Sequence, residues 1–316
     1  MVSYVIKCEF LEDQVEKDVS NYLGLISRLW GPRLRLLQVD EQLTGADALF
    51  NWRARAFYLQ FKVPIGLEST TTTPLPKTPR LNESKLQDIR RFRADQSLVD
   101  SPHSLCFQLR RMAKTATELQ HNILFRHEQP PHSRAAYVCP TALTKNEYEW
   151  AMTPNLLYRL LDTPFQFQSA RINVFGAIQS IQESPMLRGH AVIVPHSAVT
   201  DFNHYYSFSQ VGSSVAFHSQ PTVVRSEALR LSDFISASLI DWLDSGPEGF
   251  LPYKVLAKEI RAAARAVGDD KQTEQMDDEN PQAWLGRYGR ELQWQYGIRQ
   301  IIALFRDGED GARFSY

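Results

Sequence analysis

Apolar residues recur at three- and four-residue steps between Phe10 and Trp30, at Val15, Val19, Leu23, Ile26 and Trp30, which predicts a helix with one buried face. Gly31 and Pro32 end it. The segments at 33–40, 47–52 and 56–63 are rich in strand formers and separated by turn-sized gaps, so a meander of three strands is expected. In the third, Phe57, Leu59, Phe61 and Val63 alternate with Tyr58, Gln60 and Lys62. Side chains two apart share a side of a strand, so one face is apolar and the other polar.

The pattern breaks at 66–83, where consecutive threonines and several prolines predict a mobile loop. A basic helical piece follows at 84–95, then a strand at 105–109, a helix at 114–128 and a buried strand at 135–139 closed by Pro140. The order through residue 140 is α, β, β, β, a loop insertion, α, β. Beyond it, strands are expected near 171–178, 190–195, 204–210 and 214–218, and helices at 226–244, 252–267 and 282–306, with a polar linker at 268–281. The expected class is mixed α/β. Residues 1–148 form a first part, and 149–316 a mixed strand and helical extension packed on it or beside it.

Composition narrows the classes. With 316 residues and 43% hydrophobic content the chain can fill a substantial core, and no apolar run approaches the ~20 residues of a membrane helix. The start, MVSYVIKCEF, lacks the features of a secretory signal. Cys8, Cys106 and Cys139 are odd in number and widely spaced, as expected of a reducing cytoplasm. The net charge of −1 hides a basic middle, with 14 Lys or Arg against 7 Asp or Glu between Arg53 and Arg134. Such a bias is an ordinary solvated surface or a region that attracts phosphates.

The chemistry-bearing residues gather early in the chain. Glu9, Glu12 and Glu16 precede or lie on the first helix, Asp47 stands at the head of the second strand, and Gln60 precedes Lys62 by two on the third. A helix with a glutamate, a hairpin with an aspartate and a strand with an acidic or amide residue two before a lysine resemble the PD-(D/E)XK nuclease superfamily. The resemblance covers about residues 10–140 and departs from the commonest pattern in having Gln60 in place of a carboxylate.

It implies an αβββαβ restriction-endonuclease-like core and a catalytic set of Glu16, Asp47, Gln60 and Lys62. Asp47, Gln60 and Glu16 would ligate Mg²⁺ or Mn²⁺, and Lys62 would steady the attacked phosphate. Glu16 is favoured among the three glutamates because it borders the buried helix face. Gln120 and His121 on the later helix, with Arg90, Arg91 and Arg93, are expected to contact nucleic acid, DNA above RNA. The implied setting is bacterial restriction or anti-phage defence, with a regulatory or helicase/ATPase partner and no membrane. The rival is a fold with a weakened metal site that serves as a nucleic-acid-binding or protein-interaction subunit.

Other groupings are open. Cys139 with His121 and Asn122 has the residue types of a thiol hydrolase, although the end of an apolar strand suits an inert thiol better. His204 and His218 suit structural roles. Trp284, Tyr288, Trp294 and Tyr296 either pack or stack on bases. No GxGxxG, P-loop or GxSxG motif occurs.

Overall fold

The computed structural model describes residues 4–29, 34–38, 52–78, 84–98, 100, 102–113, 116–128, 132–152, 184–218, 222–227, 229–245, 250–265 and 281–306. Two sheets organise them. The first runs β1 (Val5–Ile6), β4 (Ile65–Glu68), β5 (His103–Gln108), β8 (Tyr205–Ser209), β9 (Ser213–Phe217), β10 (Thr222–Glu227), antiparallel throughout. The second runs β11 (Leu229–Arg230), β7 (His190–Ile193), β6 (Ser133–Pro140), β3 (Trp52–Phe61), β13 (Ile298–Arg306), β2 (Leu34–Gln38), and β12 (Leu251–Pro252) also pairs with β3. Its pairs are antiparallel except β3 with β6. Both sheets draw strands from either side of residue 148. The helices are α1 (Glu12–Leu29), α2 (Lys85–Asp95), α3 (Gln120–His127), α4 (Lys145–Met152), α5 (Pro185–Arg188), α6 (Leu231–Ser245), α7 (Tyr253–Arg265) and α8 (Pro281–Glu291).

β3 is central and covered on both faces. Phe57, Leu59 and Phe61 pack with Val15, Val19 and Leu23 of α1 and with Phe234 and Leu239 of α6. Truncating such a buried aromatic costs about 3–5 kcal/mol. Ala54, Ala56 and Tyr58 face the first sheet, among Phe107, Tyr206 and Phe217, with α3, α7 and α8 closing the layer. The polar face of β3 is therefore interior, and its polar groups are answered there. Tyr58 takes a hydrogen bond from Gln300 Nε2 at 3.0 Å and stacks on His127 at 3.9 Å between ring centroids.

Several expectations change. Of the strand expected at 47–52, residues 47–51 lie outside the described residues; Trp52 already belongs to β3, which runs unbroken to Phe61 because the alternation through Arg53, Ala54, Arg55 and Ala56 has no turn residue to interrupt it. The middle place of the predicted meander, between β2 and β3, belongs to β13. That strand comes from what was expected to be a helix at 282–306. Gly297, at φ 64°, caps the preceding turn through its N–H to Gln293 O and Leu292 O, and the β-branched Ile298, Ile301 and Ile302 then favour a strand. The helix expected at 226–244 begins only at Leu231, after β10 and β11, and that expected at 114–128 is confined to Gln120–His127.

Of the predicted loop at 66–83, residues 79–83 lie outside the described residues, and the described part is held in place. Its start belongs to β4, and Arg90 donates to Glu68 O at 3.0 Å, to Ser69 O at 3.4 Å and to Thr73 O. The strand expected at 171–178 and most of the linker at 268–281 lie outside the described residues.

Candidate functional site

The backbone of Lys62 continues the parallel ladder one step past β3, donating to Val138 O at 2.9 Å. Its ammonium meets Glu12 Oε1 at 3.3 Å, in the first turn of α1. Lys62 is 4% exposed, whereas the Glu12 side chain is 43% exposed, so the pair lies at an opening. Burial lowers the lysine pKa below its ordinary value; Glu12 opposes the shift and the nearby Arg110 charge adds to it.

Gln60, also buried, is positioned by α3 and by the turn before β13. Its Oε1 accepts from Gln120 Nε2, and its Nε2 donates to Phe61 O at 2.9 Å. Gln120 Nε2 also donates to Tyr296 O, to which Arg110 Nη1 donates at 3.3 Å. Gly297 makes this approach possible, since a Cβ there would lie 2.8 Å from Arg110 Nη1. Gln120 Oε1 remains buried with no hydrogen-bond partner.

Glu12 and Glu16, four apart, share a flank of α1 but meet different partners. Glu16 Oε1 accepts from Arg299 Nε at 3.0 Å, from Arg299 Nη2 and from Gln293 Nε2 at 2.9 Å. The glutamate facing Lys62 is Glu12; Glu16, the one favoured from sequence, faces Arg299. Asp47 lies outside the described residues.

Comparison with family models, curated proteins and solved structures gives no significant match.

Among the described residues, no group of three or more His, Cys, Asp or Glu could hold a metal ion. Glu12, Gln60 and the unpartnered Gln120 oxygen are nonetheless hard oxygen donors, the ligand type that suits Mg²⁺ or Mn²⁺. Arg90 and Arg93 have their donors engaged inside the fold. Arg93 meets Asp100 at 2.6 Å, Ser207 Oγ at 3.0 Å and Ser214 O at 2.9 Å. Arg90, besides gripping the start of the Thr- and Pro-rich segment, donates to Gln87 Oε1 at 3.2 Å. Arg91 is half-buried on α2.

His121 also differs from expectation. Its Nε2 donates to Ser197 O at 2.8 Å, so its Nδ1 accepts from Tyr137 OH at 2.8 Å, and burial lowers its pKa to about 4. It is a neutral structural histidine. Asn122 brackets Val199, donating to its carbonyl and accepting from its N–H. Cys139 is fully buried, and burial raises its thiol well above the ordinary value. A thiol hydrolase needs the thiolate, which this environment disfavours. Sequence reasoning missed Arg110, Gln293, Gly297 and Arg299. Of these only Gly297, standing before a β-branched run, carries a local signal.

Proposed function

We propose that the chain is a metal-dependent phosphodiesterase acting on nucleic acid, with DNA as the first substrate to test and its site at the C-terminal end of β3. The observation that carries this reading is Lys62: an ammonium desolvated at the end of a central strand, against one half-open carboxylate. Burying such a charge opposes folding, and groups held at that cost gather at functional sites. Glu12, Gln60 and Asp47 would hold Mg²⁺ or Mn²⁺, which when bound polarises a phosphoryl oxygen and makes hydroxide from water near neutral pH. Lys62 donates to a phosphate oxygen and offsets the charge that grows on it. Glu12 aims that ammonium, and Gln120 fixes the Gln60 amide.

A second reading has its own support. Gln60 Oε1 already accepts from Gln120, and Glu16 is neutralised by Arg299. Both favour a site that binds nucleic acid or a partner protein without cutting. Restriction or anti-phage defence in the cytoplasm, with a helicase or ATPase partner, is a proposed setting for either reading.

Incubating supercoiled plasmid with the protein and Mg²⁺, beside Asp47→Ala and Lys62→Ala, tests the first reading. Nicking by the wild type and by neither variant is expected. Nicking that survives both substitutions refutes this site, and salt-sensitive binding with no nicking by any form favours the second reading.

A further inference from the structure

α8 does not run straight into β13. Leu292–Tyr296 form a π-helical turn, a rare conformation that occurs frequently at functional sites. Leu292 and Tyr296 are buried; Gln293 Nε2 donates to Glu16, and Gln295 Nε2 to Glu291 at 3.1 Å. Trp294 between them is left 76% exposed. A single exposed tryptophan is ordinary. What distinguishes this one is that Tyr296, two residues on, offers the carbonyl on which Arg110 and Gln120 converge, so the turn is tied to Gln60 at the end of β3. Arg110 is itself exposed. The other aromatic residues of this region are turned inward: Trp284 and Tyr296 are buried, and Tyr288 OH pairs with His127 Nε2 at 2.7 Å.

We propose that Arg110 and Trp294 form a nucleotide-binding subsite on the turn tied to the end of β3, with a backbone phosphate on the guanidinium and an unpaired base on the indole. This rests on the reading above that the substrate is nucleic acid, and it narrows the class. A guanidinium pairs with phosphate oxygens bidentately, whereas an aromatic face accepts any base but only one whose own face is free. The favoured substrate is thus a single strand or an overhang rather than continuous duplex. Gly297 is a positioning residue, admitting Arg110 to the carbonyl that holds it.

The test is fluorescence anisotropy of labelled oligothymidylate of about 12 nucleotides, its abasic counterpart and a duplex, all in EDTA so that binding is read without cleavage. The wild type is expected to prefer the single strand. Trp294→Ala should weaken oligothymidylate binding about tenfold, with the abasic strand unaffected and Trp294→Phe restoring most of the loss. Arg110→Ala should weaken both strands and reduce the slope of log affinity against log salt by about 0.7. Trp150→Ala, at an 83% exposed tryptophan on α4, should change nothing. Unaltered binding by Trp294→Ala, or an equal loss on the abasic strand, overturns the subsite. If Lys62→Ala abolishes Mg²⁺-dependent cleavage while Trp294→Ala binds and cuts like the wild type, the subsite falls and the hydrolase reading stands. If nothing cleaves but the Trp294 pattern holds, the reverse is true.

Discussion

Mild acid is the perturbation to which this fold should be most sensitive. His121, His127, His190 and His218 are all buried. Burial lowers His121 and His190 to about 4 and His127 and His218 to about 3, against an ordinary 6.5. Below pH 6.5 the unfolded chain protonates these rings while the folded chain keeps them neutral. The unfolded state then binds more protons, so stability falls as pH falls. Between pH 7 and 5.5 each ring contributes a loss of about 1.3 kcal/mol, and the four together about 5 kcal/mol, comparable to a marginal protein's whole stability. Glu128 and Asp18, raised by burial, work in the opposite sense, and His196, lowered by burial, adds to the loss. The assay is urea unfolding followed by circular dichroism at both pH values, for the wild type and for His127→Gln. The pH-dependent loss should be about 1 kcal/mol smaller in the variant. Equal midpoints at pH 7 and 5.5, or an equal drop in both proteins, would refute the reasoning.

Other outcomes follow from single contacts. Gly297→Ala places a side chain at φ 64° and 2.8 Å from Arg110 Nη1, so a loss of about 1–2 kcal/mol is expected in thermal unfolding, together with weaker nucleic acid binding. Arg93→Ala strands Asp100 and should cost about 3 kcal/mol, lowering Tm by roughly 4–5 °C. Because Arg93 acts inside the fold, nucleic acid affinity should be unchanged where the variant is folded. Glu16→Gln removes the carboxylate that Arg299 meets, with an expected loss of about 2 kcal/mol that a second substitution, Arg299→Gln, partly restores; a double-mutant cycle measures the coupling.

Local pattern carried much of the fold. Val15, Val19 and Leu23 marked the buried face of α1, and the alternation through Phe57, Leu59 and Phe61 marked β3. What sequence could not show was which strands would be neighbours. The Tyr58, Gln60 and Lys62 face was legible as polar, but its burial depends on the first sheet, whose strands lie on both sides of residue 148. Likewise β13 was hidden by the helical spacing of its apolar residues, and only Gly297 signalled the break. At the site, the Gln60–Lys62 spacing was visible because it is local. The division of labour between Glu12 and Glu16 was not, because it is decided by Arg299 and Gln293, which are remote in the chain.

On the proposed reading, the fold holds the charge of Lys62 for chemistry rather than for stability. Lys62→Met retains the apolar stem and removes the desolvated ammonium, while Glu12 remains open to water. Measured together, the urea midpoint should stay level or rise, by about 0–2 kcal/mol, and Mg²⁺-dependent nicking should vanish. Nicking at the wild-type rate, or a stability loss of about 3 kcal/mol or more, would contradict the account and make Lys62 a structural ion pair.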